Sequence, residues 1–221
     1  MSSREENIAQ TIWHDIGVQL GNPVGIGGRL IGHFMRLINH QTNKITVTKL
    51  GIKPDDVVLE LGCGPGHGVE LAARAARAGM VYGIDRSEVM LEQARWRNRK
   101  GIRQGRVVLL NGSFDNLPFE SGVIDRMLAV NVIYFWHDLP AIASEIRRVL
   151  KVGGTLSIYA SDEKSMRNWK FAGSGTHRLF GATDLKRTLL TQGFEDFDIR
   201  VSHVKIARTI DGLSAELIKR A

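Results

Sequence analysis

The 221 residues predict an α/β protein with a mostly parallel sheet and helices on both of its faces. From about residue 51 onward, short apolar runs alternate with helix-patterned segments, the order that βαβ units produce. The apolar runs are dense in Val, Leu and Ile with little polar alternation, as expected of strands covered on both sides. Hydrophobic residues make up 43% and charged residues 24%, ordinary values for a globular domain long enough to bury a sizeable core.

In order, VVLEL (57–61) is the first predicted strand, and GVELAARAARA (68–78) has helical spacing and strong helix formers. MVYGID (80–85) is a second strand, ending in an acid. SEVMLEQARWRNR (87–99) is a helix with Ser87 as its cap. Strands follow over 106–112 and 123–130. LPAIASEIRRVLK (139–151) is a helix stopped by Gly153-Gly154, and TLSIYA (155–160) is a fifth strand. ATDLKRTLLTQG (182–193) is a helix with Thr183 as a candidate cap and Gly193 as its stop. Segments 194–202 and 203–210 read as two last strands forming a hairpin.

Residues 1–50 differ. GNPVGIGG is followed by apolar Leu30, Ile31, Phe34, Met35, Leu37 and Ile38 at amphipathic spacing. This segment reads as a helical cap or lid over the sheet's active edge, with 51–221 as the main domain. The other reading is a helix packed on the sheet's flank.

The single cysteine, Cys63, excludes an intrachain disulfide, and the polar stretch MSSREENIAQ has no apolar core of signal-peptide length. No run of about 18 apolar residues is present to span a bilayer, so the expected address is the cytoplasm. Oligomeric state is left open. The formal charge of +7 admits nucleic acid or an anionic surface as a partner, depending on where the cations sit.

The first strand runs straight into GCGPGHG, with glycine at 62, 64, 66 and 68. A strand, a glycine turn and a helix form an anion or nucleoside site: glycine permits positive φ and close approach, and the helix start offers free N–H groups. The dinucleotide pattern G-x-G-x-x-G fails in both registers, because His67 and Val69 stand where the third glycine would fall. The P-loop pattern fails because no Lys follows the glycines.

What remains is E-x-G-x-G-x-G at Glu60, Gly62, Gly64 and Gly66. Together with VYGIDRSEVM, NGSFDNLPF and VIDRMLAVNVIYFWHDLPAIASEIRRVLKVGGTLSI, it resembles the class I S-adenosylmethionine-dependent methyltransferases, in the broad subgroup acting mostly on small molecules. The resemblance covers about residues 50–200. It implies a Rossmann-like seven-stranded sheet with the last strand antiparallel, and S-adenosyl-L-methionine as cofactor with S-adenosyl-L-homocysteine as product. Asp85 would grip the ribose diol. Glu60 would help to bind the ammonium, its other reading being a structural carboxylate. Met90 and Phe114 would wall the adenine, Ser113 would touch its edge where many relatives carry an acid, and Arg86 would stack over it. Asp115 lies near Ser113 but in the wrong phase to replace that acid. Cys63 reads as a small residue in a tight loop.

NVIYFWHD (131–138) follows the fourth strand. Asn131, Tyr134, Trp136 and His137 are candidates to touch donor or acceptor, with His137 and Tyr134 as the candidate catalytic residues. His137 is of the residue type that can serve as a base near neutral pH. The alternative is that the aromatics pack the next helix and His137 with Asp138 caps it; Phe135 reads as core. N-x-x-Y lacks both prolines of the nitrogen-methylating [DN]-P-P-[FYW] pattern, so that chemistry is not assigned. His14, His33, His40, His177 and His203 have no ligand spacing, and no metal is expected. His33 and Met35 are candidates for the substrate side of a lid.

The densest basic run is RWRNRKGIRQGR (95–106), with Trp96 interleaved. It ends the helix after the second strand and so falls at the sheet's amino edge, away from methyl transfer. Cations there also suit the helix dipole. The reading is therefore methylation of a small molecule. The alternatives are a tRNA or rRNA methyltransferase, favoured if cations ring the pocket mouth, and a non-catalytic binder of the cofactor or its product.

Overall fold

The computed structural model describes residues 3–167, 169, 171–172, 176–207 and 210–221, and their side chains apart from 3–9, 26–38 and 207. Seven strands form one sheet: β1 (Val57–Leu61), β2 (Met80–Asp85), β3 (Val107–Asn111), β4 (Ile124–Val130), β5 (Leu150–Ser161), β6 (Phe197–Ala207) and β7 (Ile210–Lys219). Their order is β3-β2-β1-β4-β5-β7-β6. β7 pairs antiparallel with both β5 and β6, while the pairings from β3 through to β5 are parallel. The order reverses between β1 and β4, which opens a crevice beyond their carboxyl ends.

The strands' double burial follows from the helices. Leu59, Leu61, Met127, Ala129, Leu156 and Ile158 face a core completed by α5 (Leu139–Val149), the short α6 (Glu163–Met166) and α7 (Ala182–Thr191). On the other face Val58, Val81, Leu128 and Tyr159 meet α3 (His67–Ala75), α4 (Glu88–Arg103) and the end of α2 (Gly25–Leu50). Alternation along β1 puts Glu60 on this second face, below the start of α3. Among the described residues, no helix is long and apolar enough to cross a membrane.

The expected caps Ser87 and Asp138 hold, accepting from the N–H groups of Met90 and Ala141. Several boundaries differ from expectation, and α4 runs four residues past its expected end at Arg99. Thr183 lies inside α7, whose N-cap is Gly181. α3 stops at Ala75, and Gly79 is pressed against the carbonyl of Asp56 as the chain turns back. α5 ends at Val149, so Gly153-Gly154 does not stop it. β5 begins at Leu150 and the glycine pair lies in an irregularity, after which the pairing resumes at Arg126 with Thr155. The last hairpin is offset too: 197–207 is one continuous strand, held by its antiparallel pairing with 210–219.

The N-terminal segment is two helices, α1 (Ser3–Gly21) and α2, broken at Asn22–Val24. The stripe Leu30–Ile38, with His33 and Met35, lies outside the described side chains. The second half of α2 packs on the sheet's flank over β4 and β5, placing buried Thr42, Asn43 and Thr46 there.

Candidate active site

Between β1 and α3 the chain turns through Gly62, Gly64 and Gly66, all at positive φ. The reasons for glycine differ along the loop. At Gly64 a Cβ would meet nothing within 4 Å, so the loop's backbone is open to a ligand there. At Gly68 the space is taken by the protein: a Cβ would fall 2.6 Å from Glu60 Cδ and Oε2. Glu60 therefore reaches under the loop because position 68 has no side chain. It is 2% exposed, and its Oε2 has no hydrogen-bond partner among the described residues. Burial pushes its carboxyl well above the usual range, partly offset by the Val69 N–H; the Asp85 charge pushes the same way as burial.

Asp85 ends β2 on the crevice side. Its Oδ2 accepts from Gly64 N at 2.8 Å and its Oδ1 from Ser87 N at 2.9 Å, so the acid clamps the glycine loop to the start of α4. Burial raises its pKa, with the same two N–H groups pulling it down.

A cavity of about 170 Å³ opens beside these groups, lined in part by Gly62, Asp85, Arg86, Ser113, Phe114, Phe135 and His137. Asp115 lines it as well. Met90 does not; it is buried, and its N–H is bound to the Ser87 cap. Trp136 is also buried, edge-on to Phe114. Phe135, expected in the core, is half-buried and borders the cavity because the 3-10 turn at Ile133–Phe135 swings it outward. Cys63 is packed against Gly83, with its thiol pushed up by burial and by the Asp85 and Glu60 charges.

Gly21, at the end of α1, also lines the cavity, a place that no pattern in the chain assigned to it. Its carbonyl accepts from Arg86 Nε at 3.2 Å and Nη2 at 2.9 Å, and the Pro23 carbonyl accepts from Ser87 Oγ. A Cβ on Gly21 would sit 2.9 Å from the Phe135 ring. The break between α1 and α2 thus bridges the two lips of the cavity. Arg86, expected over adenine, is directed to this bridge by its own fork of donors. The visible signal was GNPVG, a helix break inside a helical segment.

Deeper in the crevice, Asn131 follows β4 at φ 54, in the left-handed region, which Asn tolerates better than most residues. Its Nδ2 donates to Asn39 Oδ1 of α2 at 2.8 Å. Its Oδ1 accepts from Tyr134 OH at 2.9 Å and Ser161 N at 3.2 Å. Ser161 N also donates to the Tyr134 oxygen. Burial pushes the Tyr134 hydroxyl above its ordinary range, so it stays protonated. His137 stands exposed at the rim, and Asp138 alone supplies the cap of α5. His177 nestles among Tyr134, Phe135 and Phe171, and burial lowers it to about 4. His40 stacks on His67 at 4.7 Å. Among the described residues, no group of three or more His, Cys, Asp or Glu is placed to hold a metal ion.

A glycine turn at the sheet's switch point, with an acid ending the next strand, is an arrangement of α/β proteins that suits a nucleoside. The chain belongs to the class I S-adenosylmethionine-dependent methyltransferases. Residues 59–158 match the Methyltransferase domain family. The chain is 30% identical over 177 residues to the uncharacterized methyltransferase YdaC of Bacillus subtilis, spanning 80% of this chain and 92% of that protein. It is 27% identical to the sterol 24-C-methyltransferase ERG6 of Saccharomyces cerevisiae over 66% of this chain, but spans only 41% of that enzyme. In fold it is similar to the methyltransferase in a complex with the Haloferax volcanii Trm112 methyltransferase activator (TM-score 0.73, 19% identity, 86% of this chain and 94% of that one). It is also similar to a geranyl diphosphate methyltransferase in complex with SAM (TM-score 0.67, 16% identity, 91% and 94%).

Proposed function

We propose that this enzyme moves the methyl group of S-adenosylmethionine to a small-molecule acceptor held beyond the carboxyl ends of β1 and β4. The observation that carries this reading is the composition of the cavity mouth: among the described residues Arg86 is the single Lys or Arg lining it, against Asp85, Asp115 and Asp138. A polyanionic acceptor such as RNA would be repelled there. The names of several relatives point the same way, being a sterol, a naphthoquinone and a geranyl diphosphate methyltransferase.

The residues fit the cofactor. An ammonium group would satisfy the orphaned Glu60 Oε2. Asp85 keeps lone pairs for a ribose diol, and Phe114 offers an apolar wall. When bound, the cofactor supplies an electrophilic methyl carbon with a good leaving group. Positioning then does most of what is needed, and a base is used only if the acceptor must lose a proton. His137, at the rim, takes that role. Tyr134 positions Asn131 instead of accepting a proton, because its hydroxyl is already bonded and held neutral.

The test is reaction of purified enzyme with methyl-labelled cofactor and a cell extract, with products separated by size and by sensitivity to nuclease and protease. Label in a small, nuclease-resistant product is the expected result. Label in RNA or protein would overturn the acceptor class. Bound cofactor with no transfer to any fraction would favour a binding protein.

A further inference from the structure

We propose that the outer face of α4, with the groove it shares with α3, docks single-stranded nucleic acid. Residues 70–106 hold nine Lys and Arg against four Asp and Glu, so five of the chain's seven net charges lie in this stretch. Part of that charge is neutralised at home. Arg74 and Arg97 share Glu70, Arg95 pairs with Glu88, and Arg106 is tied to the carbonyls of Ala73 and Ala76. Arg77, Arg99, Lys100 and Arg103 make no ion pair among the described residues.

Helical spacing puts Trp96, Arg99, Lys100 and Arg103 on one stripe, and all four are exposed. Trp96 is 68% exposed, with the Arg99 guanidinium 4.9 Å from its ring centre. Beside the stripe, Arg77, Lys100 and Arg106 help to line a groove of about 410 Å³ between α3 and α4. The helix dipole accounts for cations in the last turn of α4, but not for a large indole held in water with a guanidinium over it. A flat aromatic face beside a row of cations suits a base stacked next to its phosphates. An anionic membrane is the weaker fit, since Trp96 is the one large apolar side chain on that stripe and little area could be buried in lipid.

α4 runs down to the amino end of β3, at the sheet edge opposite the cavity. The nucleic acid is therefore a docked partner and not the methyl acceptor. The inference stands apart from the methyl-transfer reading and survives its failure.

The test is fluorescence anisotropy of a labelled 20-residue oligouridylate titrated with the full chain at several salt concentrations. Expected is salt-sensitive binding, log K falling by roughly 0.7 per phosphate contacted for each decade of salt. Trp96→Ala should weaken it about 5- to 150-fold, on the scale of one lost stack, while Trp96→Phe retains most of it. The triple variant Arg99→Ser, Lys100→Ser, Arg103→Ser should weaken it at least about 10-fold and flatten the salt slope by about 2. These side chains are exposed, so thermal midpoint and cofactor affinity serve as controls for folding. The proposal is overturned by absent binding, by binding that ignores these variants, by inorganic polyphosphate binding as tightly as the oligonucleotide, or by phosphatidylglycerol vesicles binding in its place.

Discussion

Gly68→Ala tests whether the buried acid reaches under the glycine loop. Position 68 lies in the first turn of α3 and has ordinary helical φ, so in open surroundings alanine would stabilise the helix by about 1 kcal/mol. Here the new methyl would lie 2.6 Å from Glu60 Cδ and Oε2. The carboxyl is 2% exposed and has no empty side to retreat to, so overpacking of about 1–3 kcal/mol opposes the helix gain. The net expectation is a destabilisation of up to about 2 kcal/mol, a fall in midpoint of up to about 6 °C for a domain of this size. Displacing Glu60 should also remove one charged hydrogen bond to the cofactor, roughly 1.5–3 kcal/mol, or about 10- to 150-fold in affinity. Scanning fluorimetry reads the first quantity and titration calorimetry with S-adenosylmethionine the second. A variant that is stabilised by about 1 kcal/mol and binds cofactor normally would refute the close approach of Glu60 and its ammonium role together.

Asp85→Ala removes the acceptor of the Gly64 and Ser87 N–H groups as well as the ribose contact, and should weaken cofactor binding at least about 30-fold by calorimetry. Glu60 has a raised folded-state pKa, so its contribution to ligand-free stability is complete below the ordinary value of about 4.3 and is lost as pH rises through the raised value. Glu60→Gln should therefore flatten the fall in midpoint toward neutral pH, and an identical profile in the variant would place the acid in water. His177 has the opposite sign: with a folded value of about 4, it makes stability rise with pH from there to its ordinary value near 6.5. His177→Phe should abolish that rise in denaturation midpoints. Asn39→Ala frees the Asn131 amide and should lower kcat about 10-fold or more with little change in cofactor affinity, while Asn39→Asp, which still accepts from Nδ2, should restore much of it. Equal effects of the two substitutions would refute the positioning role.

Periodicity and local chemistry wrote much of this molecule directly into the chain. The short Val- and Leu-rich runs read as strands covered on both sides, and their alternation with helices pointed to the parallel sheet. The glycine turn and Asp85 were legible because positive φ and an acid ending a strand are local demands on local residues. Boundaries were legible where a side chain caps its own helix, as at Ser87 and Asp138. They failed where pairing with a distant strand decides the matter, as at Leu150, which leaves its helix to pair with Ile124. Met90 shows the limit for the site: its place in the motif was right for a wall, but burial behind the start of α4 takes it away from the cavity. Gly21, Asn39 and Ser161 carried no signal of their own. They reach the site from 65, 92 and 30 residues away in sequence, through hydrogen bonds to Arg86 and Asn131. Hydrophobic pattern and backbone conformation are properties of neighbouring residues, and so the sequence alone determined the sheet and the glycine loop. Which groups roof the cavity and hold Asn131 depends on how two N-terminal helices settle over the finished sheet, and only the tertiary structure decided that.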